Sequence, residues 1–382
     1  MKTSIEVKVY RNLDEIETAW NQLTTPNDPF FDSSFLKLLQ DSKSIGSEKG
    51  WDPYYFTLES SGEMLAAVPV YLKTDSYGEY VFDWEWARAY QQLGLSYYPK
   101  AVVAVPFTPV NGSRILLKDP LSNSFQMLLE ALLDWVQSQK LSSLHFLFCT
   151  EEEQLQLQTM GFIPRLHYQF HWVNQSYQSF DHYLSDLHHK KRNQIKSERR
   201  KVQSLGLKIS CFAGSEIHSD HLAALWSFSQ NTFLTKSGTD PYLTESFFMQ
   251  AALHLKDQLF LVMAEDHGKW VAGSLNFVKG DILYGRYWGA NKNYPYLHFE
   301  CCYYQLIEYA IAHHLKKIEA GAQGEQKFLR GFDPAYTYSA HWIADERMRK
   351  AIASFCKQES QWIEKTVQAY REISPLKRSE KM

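Results

Sequence analysis

Residues 316–343 gather acidic, basic and glycine residues into one short stretch, KKIEAGAQGEQKFLRGFDPAYTYSAHWI. A short apolar run ends at Ile318. The charged residues Glu319, Glu325, Lys327 and Arg330 follow within twelve residues. Carboxylates exchange protons at a reacting centre, whereas lysine and arginine bind anions. The composition therefore favours a site for proton transfer and anion binding. Purely structural turns are also rich in glycine and charge, so a loop without a functional role remains the alternative.

More groups of this kind stand just upstream. A strand is predicted over Ile282–Trp288 and carries Arg286 and Tyr287, and His298 and Glu300 lie at the start of the long helix that follows. An acid in the first turn of a helix also complements the helix dipole, so Glu300 has a structural alternative. A packed histidine is an equal alternative for His298.

A helix is predicted over about Phe180–Leu205, and it is strongly basic. Between residues 190 and 201 it has seven lysines and arginines against one acid, Glu198. Such a helix suits an anionic partner, namely a phosphate-bearing small molecule, tRNA or an anionic cell-wall precursor. The alternative is an ordinary solvated helix face. Lys191 and Arg192 are its binding candidates.

The first half of the chain combines tryptophans with carboxylates. Trp84 and Trp86 alternate with acids in the run DWEW, and QFHW follows at residues 169–172. Aromatic faces beside carboxylates suit sugar or peptide binding, but an aromatic core would have the same composition.

Length and composition exclude several classes of protein. A chain of 382 residues exceeds one ordinary core, so two domains are expected, and a net charge of −3 does not imply bulk nucleic-acid binding. The five cysteines form no metal-binding spacing, and the pair Cys301 and Cys302 reads as helix packing rather than as a nucleophile. The longest nearly uncharged apolar run, Ala101–Val110, is too short to span a bilayer. We expect a cytoplasmic protein without a bound metal.

Predicted strands alternate with predicted helices along the whole chain, which indicates an α/β fold. The order of elements restarts near residue 176, and both halves repeat helices, a strand hairpin, a further strand, a helix and a strand. We therefore predict domains over residues 1–175 and 176–382, the second ending in a helix from about Asp345 to Tyr370.

Several long motifs resemble the FemAB-like family of predicted N-acyltransferases, which is associated with peptidoglycan biosynthesis or recognition. In the second half the motifs are HHKKRNQIKSERRKV, LFLVMAEDHGKWVAGSLNFV, ILYGRYWGA, HFECCYYQ and EAGAQGEQK. In the first half they are YLKTDSYGEYVFDWEWARAY, YYPKAVVAVPFTPVNG and QFHW. The resemblance implies an α/β protein of two tandem GNAT-like domains, the acyl-CoA N-acyltransferase fold, with mixed sheets flanked by helices.

The resemblance also implies an activity, the transfer of an acyl or aminoacyl group from a thioester or ester donor to an amine. Acyl-CoA and aminoacyl-tRNA are the donor classes, with N-acetyl transfer among the options, and no permanently bound cofactor is expected. No long helical arm interrupts either half, which favours acyl-CoA or another small donor over tRNA. However, the junction GANKNYPYLHFE lacks the glycine-rich loop that cradles the CoA pyrophosphate in ordinary GNAT enzymes.

Amide formation needs a base for the amine, a stabilised oxyanion and a proton for the leaving group. The catalytic candidates are Glu319, Glu325, His298 and Tyr287. The substrate- or donor-binding candidates are Lys327, Arg330, Glu300, Arg286, Gln323, His341, Lys191, Arg192, Trp84 and Trp86. Two alternative functions remain, a non-catalytic module that recognises a cell-wall precursor and RNA binding through the basic helix.

Overall fold

The structure is a computed structural model that describes residues 5–322 and 324–377. The strands are β1 (Ile5–Tyr10), β2 (Trp51–Ser60), β3 (Glu63–Lys73), β4 (Lys100–Val103), β5 (Leu116–Leu117), β6 (Ser143–Cys149), β7 (Ile163–Val173), β8 (Lys208–Ala213), β9 (Leu259–Asp266), β10 (Lys269–Lys279), β11 (Ile282–Ala290), β12 (Lys317–Glu319) and β13 (Asp333–Ile343). The α-helices are α1 (Glu17–Asn21), α2 (Ser33–Asp41), α3 (Trp84–Gln92), α4 (Ser124–Ser138), α5 (Glu151–Thr159), α6 (Phe180–Asp186), α7 (His189–Gln203), α8 (Ser219–Ser237), α9 (Glu245–His254), α10 (Leu297–Phe299), α11 (Gln305–Ala312) and α12 (Glu346–Glu372). Gln323, a predicted binding residue, lies outside the described residues.

The described chain forms two compact units. Unit one comprises the residues up to Tyr168 together with Tyr336–Lys365, and unit two comprises Gln169–Ala335 together with the residues from Thr366 onward. The domain boundary predicted at residues 175 and 176 stays a prediction. Over residues 5–322 and 324–377, no helix combines the length and the apolar character that crossing a bilayer requires.

Unit one contains a mixed sheet with helices on both faces. Its strands follow the order β1-β2-β3-β4-β6-β13, with β5 pairing with β3. One face packs against α4, whose buried side chains Leu128 and Leu132 repeat at helical spacing and meet Phe146 of β6. A second core joins Trp86 of α3 to Ile352 of α12. Apolar side chains thus cover both faces of these central strands.

Unit two is built in the same way around the strand order β7-β12-β11-β10-β9-β8. Strands β9, β10 and β11 form an antiparallel meander, and β12 then pairs in parallel with β11 after the helical crossover α10–α11. The basic helix predicted over Phe180–Leu205 is interrupted, because Leu187 and His188 adopt extended backbone between α6 and α7. The helix predicted at the C-terminus is confirmed as α12.

Two glycines let α8 lie directly on the meander. Gly273 of β10 and Gly289 of β11 are register partners on neighbouring strands. A Cβ atom on Gly289 would lie 2.4 Å from the backbone carbonyl carbon of Phe228 in α8, and one on Gly273 would lie 2.9 Å from Leu225. Both distances are shorter than van der Waals contact. Side chains at these positions would therefore push the helix off the sheet.

We expect Gly289→Ala to destabilise the protein by about 2 kcal/mol, because the added methyl group meets helix backbone, which cannot rotate away. Gly285→Ala on the same strand is the matched control, since its Cβ would meet no atom closer than 3.4 Å, an ordinary contact distance. Urea unfolding of both variants at neutral pH measures the difference. Equal stabilities would show that α8 does not rest on Gly289.

Candidate active site

The strands β11 and β12 of unit two part beyond a short paired region. They are paired over three residues, Ile282–Tyr284 with Lys317–Glu319, after which β11 continues to Ala290 while the chain leaves β12 at Ala320. A parting between two parallel strands exposes backbone and side chains of the longer strand at its carboxyl end. Open α/β sheets bind ligands in such places.

A cavity of about 450 Å³ lies where the strands part. Four of the predicted site residues, Arg286, Tyr287, His298 and Lys327, line it together. The remaining described lining residues are Asn276, Gly285, Trp288, Phe299, Cys302, Tyr303, Ala320, Gly324 and Gln326. None of these described lining residues is an aspartate or a glutamate, so the charge that this wall supplies is positive.

A β-bulge aims Arg286 away from the regular ladder. Leu275 of β10 pairs with Tyr287, and the next residue, Asn276, pairs with Gly285, so that Arg286 is the extra residue on β11. A bulge twists its strand and redirects the side chain that it carries. The buried amide of Asn276 donates hydrogen bonds to the carbonyl oxygen of Phe260 (3.0 Å) and to Ser274, which fixes this part of β10.

Lys327 is the most unusual group in the cavity, because its side chain is buried. Its Nζ donates a hydrogen bond of 2.6 Å to the carbonyl oxygen of Gly321. Burial lowers the pKa of Lys327 to about 7; the Cys302 thiol opposes the shift, and the Arg286 guanidinium adds to it. Near neutral pH a large share of this lysine is therefore an uncharged amine that can accept a proton.

The helix that bounds the cavity contains an irregular turn. Residues Glu300–Tyr304 form a π-helical turn between α10 and α11, and Cys302 of this turn lines the cavity. Such turns occur frequently at functional sites. The Glu300 carboxylate is held by Arg199 of α7 at 2.9 and 3.1 Å, so Glu300 fixes the helix start.

The two catalytic candidates with carboxylates stand outside the cavity lining. Glu319 is buried, with Lys317 Nζ 2.6 Å from its carboxylate and His171 Nε2 at 3.9 Å. Glu325 is exposed and accepts a hydrogen bond of 3.1 Å from the hydroxyl of Tyr370. Their predicted catalytic roles stay predictions.

Arg330 belongs to a buried cluster. Its guanidinium donates to both carboxylate oxygens of Glu198 at 2.8 Å and to the hydroxyl of Tyr304 at 2.8 Å, and it lies 3.5 Å above the ring of Phe299. The same guanidinium also binds the carbonyl oxygen of Gln326. These contacts tie the loop that carries Lys327 to α7 and to the π-helical turn.

The remaining candidates lie elsewhere. Lys191 and Arg192 are half-buried on α7, whose exposed basic residues are Lys190, Lys196, Arg200 and Lys201. In unit one, His341 is buried, with its Nδ1 2.7 Å from Nδ1 of His145, and Trp86 packs against its ring. Trp84 is partly exposed at the start of α3.

A second cavity of about 480 Å³ adjoins the first, and both share Trp288 and His298 as lining residues. Polar side chains that sequence reasoning missed dominate its wall. They are Asn231, Thr232, Thr235, Asn291, Lys292 and Asn293, and Ala290 and Tyr294 complete the lining with the two shared residues. The only sequence signal for it was the Asn- and Lys-rich junction after β11. Over the described ranges, no three His, Cys, Asp or Glu side chains come together as a metal site.

Comparison with known proteins identifies the family. A FemAB-like family model, described as peptidoglycan biosynthesis/recognition, matches residues 12–378. The chain belongs to the FemAB-like family. No curated protein sequence matches this FemAB-like chain significantly.

Solved structures agree on the fold at low sequence identity. FemX is 11% identical with a TM-score of 0.56, over 91% of this chain and 100% of that chain. L-PGS from Bacillus licheniformis is 10% identical with a TM-score of 0.52, over 89% and 98%. A conserved protein of unknown function from Bacteroides thetaiotaomicron is 12% identical with a TM-score of 0.50, over 89% and 100%. The predicted fold class, α/β with two tandem GNAT-like domains and mixed sheets flanked by helices, is confirmed.

The contacts of Arg330 lead to a prediction about stability. We expect Arg330→Met to destabilise the FemAB-like protein by about 3–5 kcal/mol, because it leaves the Glu198 carboxylate buried without its cation. Arg347→Met removes an exposed arginine, paired with Asp345, and should change the stability by less than about 1 kcal/mol. Urea unfolding compares the two variants, and a small loss for Arg330→Met would contradict a structural role for the cluster.

The burial of Lys327 leads to a prediction about the pH dependence of stability. The unfolded chain keeps an ordinary lysine pKa of 10.5, whereas the folded chain holds the pKa of Lys327 at about 7, so between these values the unfolded state binds more protons and stability rises with pH. Below about pH 7 the folded state bears the full cost of burying the ammonium. We therefore expect Lys327→Met to stabilise the protein, by about 2.5 kcal/mol more near pH 6 than near pH 9. Denaturant unfolding at both pH values measures this, and a pH-independent difference would mean that Lys327 is not neutral when folded.

Proposed function

We propose that this FemAB-like protein is an acyl- or aminoacyltransferase that forms an amide in the cavity between β11 and β12. The donor is an ester or thioester, and the acceptor is an amine of a peptidoglycan-related precursor. The observation that carries the proposal is the buried Lys327, a base at neutral pH beside the cationic Arg286. The family description supports the choice of acceptor.

The reaction requires one proton to move from the amine to the leaving group. The amine nitrogen attacks the carbonyl carbon of the donor, which forms the C–N bond and gives a tetrahedral oxyanion. Neutral Lys327 takes the proton that the nitrogen must lose and becomes an ammonium. When the C–O or C–S bond breaks, the same proton passes to the departing oxygen or sulfur. Lys327 thus returns to its starting state without any further reactant.

The oxyanion needs positive charge or hydrogen-bond donors close to the carbonyl. Arg286 supplies a permanent positive charge to the same cavity. Burial raises the pKa of the Tyr287 phenol, which therefore keeps its proton and can donate a hydrogen bond. Tyr287 was predicted as a catalytic residue, and its position in the cavity lining supports a role as hydrogen-bond donor to the oxyanion.

Two substrates require two binding spaces that meet at the reacting atoms. The cavities on either side of Trp288 and His298 meet this requirement. The second one lies at the junction after β11, where ordinary GNAT enzymes use a glycine-rich loop, and it offers amide groups and Lys292 instead. This chemistry can hold polar or anionic groups of a donor, and it leaves acyl-CoA and aminoacyl-tRNA as donor classes to be tried.

The second candidate is a recognition module without catalysis, which the missing glycine-rich loop favours. Such a module would bind a precursor peptide and release it unchanged. Lys327→Met would then leave precursor binding intact, and no product would form with any donor.

The test is the pH dependence of amide formation, measured by mass spectrometry with acetyl-CoA and aminoacyl-tRNA as donors and amine-bearing precursor peptides as acceptors. We expect the wild-type rate to rise with pH through about pH 7, as Lys327 loses its proton. Lys327→Met should lower the rate by about 100-fold or more. Lys327→Arg should be equally inactive, because arginine stays charged.

Lys316→Met is the matched control, since Lys316 is an exposed lysine paired with Asp281 and should leave the rate unchanged. Activity retained in Lys327→Arg would contradict a proton-transfer role and would assign Lys327 to charge stabilisation. A folded wild-type protein that makes no product with either donor would favour the recognition module.

A further inference from the structure

Strand β1 forms one edge of the sheet of unit one. It pairs with β2 on one side, with Ile5 opposite Ser60 and Tyr10 opposite Tyr55, and it stands at the end of the strand order. Among the described strands, none pairs with its other side. The outward N–H and C=O groups of such an edge strand form a row that can pair with a further strand.

One face of β1 carries an aliphatic stripe. Ile5, Val7 and Val9 lie on this face and are 45%, 39% and 46% exposed. Leu58 and Phe56 of β2, which stand opposite Val7 and Val9, are buried in the core that includes α4. The apolar face of the sheet therefore continues past the part that α4 covers and ends in exposed aliphatic side chains.

The other face of β1 carries charges of both signs. Nζ of Lys8 lies 3.0 Å from a carboxylate oxygen of Glu6 and 2.8 Å from one of Glu59 on β2. The side chains of Glu6 and Lys8 are 59% and 41% exposed, so both can interact with a neighbouring strand. A lysine on an edge strand usually opposes pairing with another strand. Here the acid two residues away supplies the opposite charge that such a partner needs.

The sequence of β1, IEVKVY, is complementary to itself when two copies run antiparallel. Residues directly opposite each other in an antiparallel pair lie on the same face of the sheet, so odd positions must pair with odd ones and even with even ones. A pairing centred on Val7 places Glu6 opposite Lys8 of the second copy, and Ile5 opposite Val9. Centred on Glu6 or on Lys8, the pairing would instead put two glutamates or two lysines opposite each other, which is unfavourable.

We propose that β1 is a homodimer contact, in which the β1 strands of two copies pair antiparallel about Val7. This pairing gives the outward backbone groups of β1 partners and brings the two aliphatic stripes side by side. It also forms two Glu6–Lys8 ion pairs between the copies. A nucleic acid or an anionic membrane would be repelled by Glu6, whereas a second copy brings the lysine that binds it. No residue of β1 lines the cavity of Lys327, so the contact is separate from the proposed transfer.

Sedimentation velocity of the full chain at concentrations up to about 200 µM tests the contact, because a short strand pair gives a weak dimer. We expect the wild type to shift from monomer towards dimer as the concentration rises. Val7→Lys should weaken the association at least tenfold, since it places two lysines directly opposite each other. Leu121→Lys is the matched control, because it adds the same charge at an apolar residue of unit one that is 95% exposed, and its association should stay within twofold.

Two charge variants and their mixture test the register. Glu6→Lys alone places lysine opposite lysine, and Lys8→Glu alone places acid opposite acid, so each should associate at least tenfold more weakly than the wild type. An equimolar mixture of the two restores opposite charges at both positions and should associate as the wild type does. Lys118→Glu is the matched control, because it breaks an exposed ion pair with Glu63 in unit one and should leave the association unchanged. Circular dichroism and thermal melting check that each variant is folded.

A wild type that stays monomeric at the highest concentration overturns the proposal, and so does a folded Val7→Lys that dimerises equally well. The proposal is also overturned if the mixture of Glu6→Lys and Lys8→Glu stays monomeric, since wild-type dimers would then use another register or another surface.

Discussion

The loss of hydration by a single lysine on folding is the constraint on which the active-site proposal depends. An ammonium group in water is strongly solvated, and Lys327 exchanges that solvation for one carbonyl oxygen, that of Gly321, in a cavity whose described lining contains no carboxylate. The neutral amine therefore becomes accessible near pH 7. Such a position is unfavourable for stability, and the buried Arg330–Glu198 pair beneath the same loop supplies the rigidity that holds it.

The two units use buried lysines in opposite ways. In unit one, burial alone would lower the pKa of Lys100, but the carboxylates of Glu79 and Asp83 outweigh it and hold that pKa above its ordinary value. Lys100 is consequently a permanent cation that anchors the segment before α3. In unit two, none of the described residues that line the cavity of Lys327 is a carboxylate, so Lys327 can exchange protons. The number of carboxylates around a buried amine thus separates an anchor from a base.

The sequence allowed the fold class to be predicted, because alternating apolar periods and long family motifs are local features. It also brought Arg286, Tyr287, His298 and Lys327 into one candidate site, since they flank neighbouring strands of a GNAT-like sheet. The sequence does not show which charged residues form ion pairs and which ones face solvent. Arg330 and Glu198 are 132 residues apart, and Arg199 and Glu300 are 101 residues apart, so only the three-dimensional structure shows that these ions hold helices together. The bulge at Arg286 and the polar second cavity depend on register and loop conformation, which residue types do not specify.

The pKa of Lys327 can be measured directly. Protein labelled with ¹³C at the lysine ε-carbons can be titrated by NMR, and Lys327→Arg identifies the signal by its disappearance. We predict a midpoint near pH 7 for this one signal, far below the ordinary lysine pKa of about 10.4. A midpoint above about pH 9 would contradict it, because Lys327 would then be a cation during the reaction and could not accept the proton of the amine.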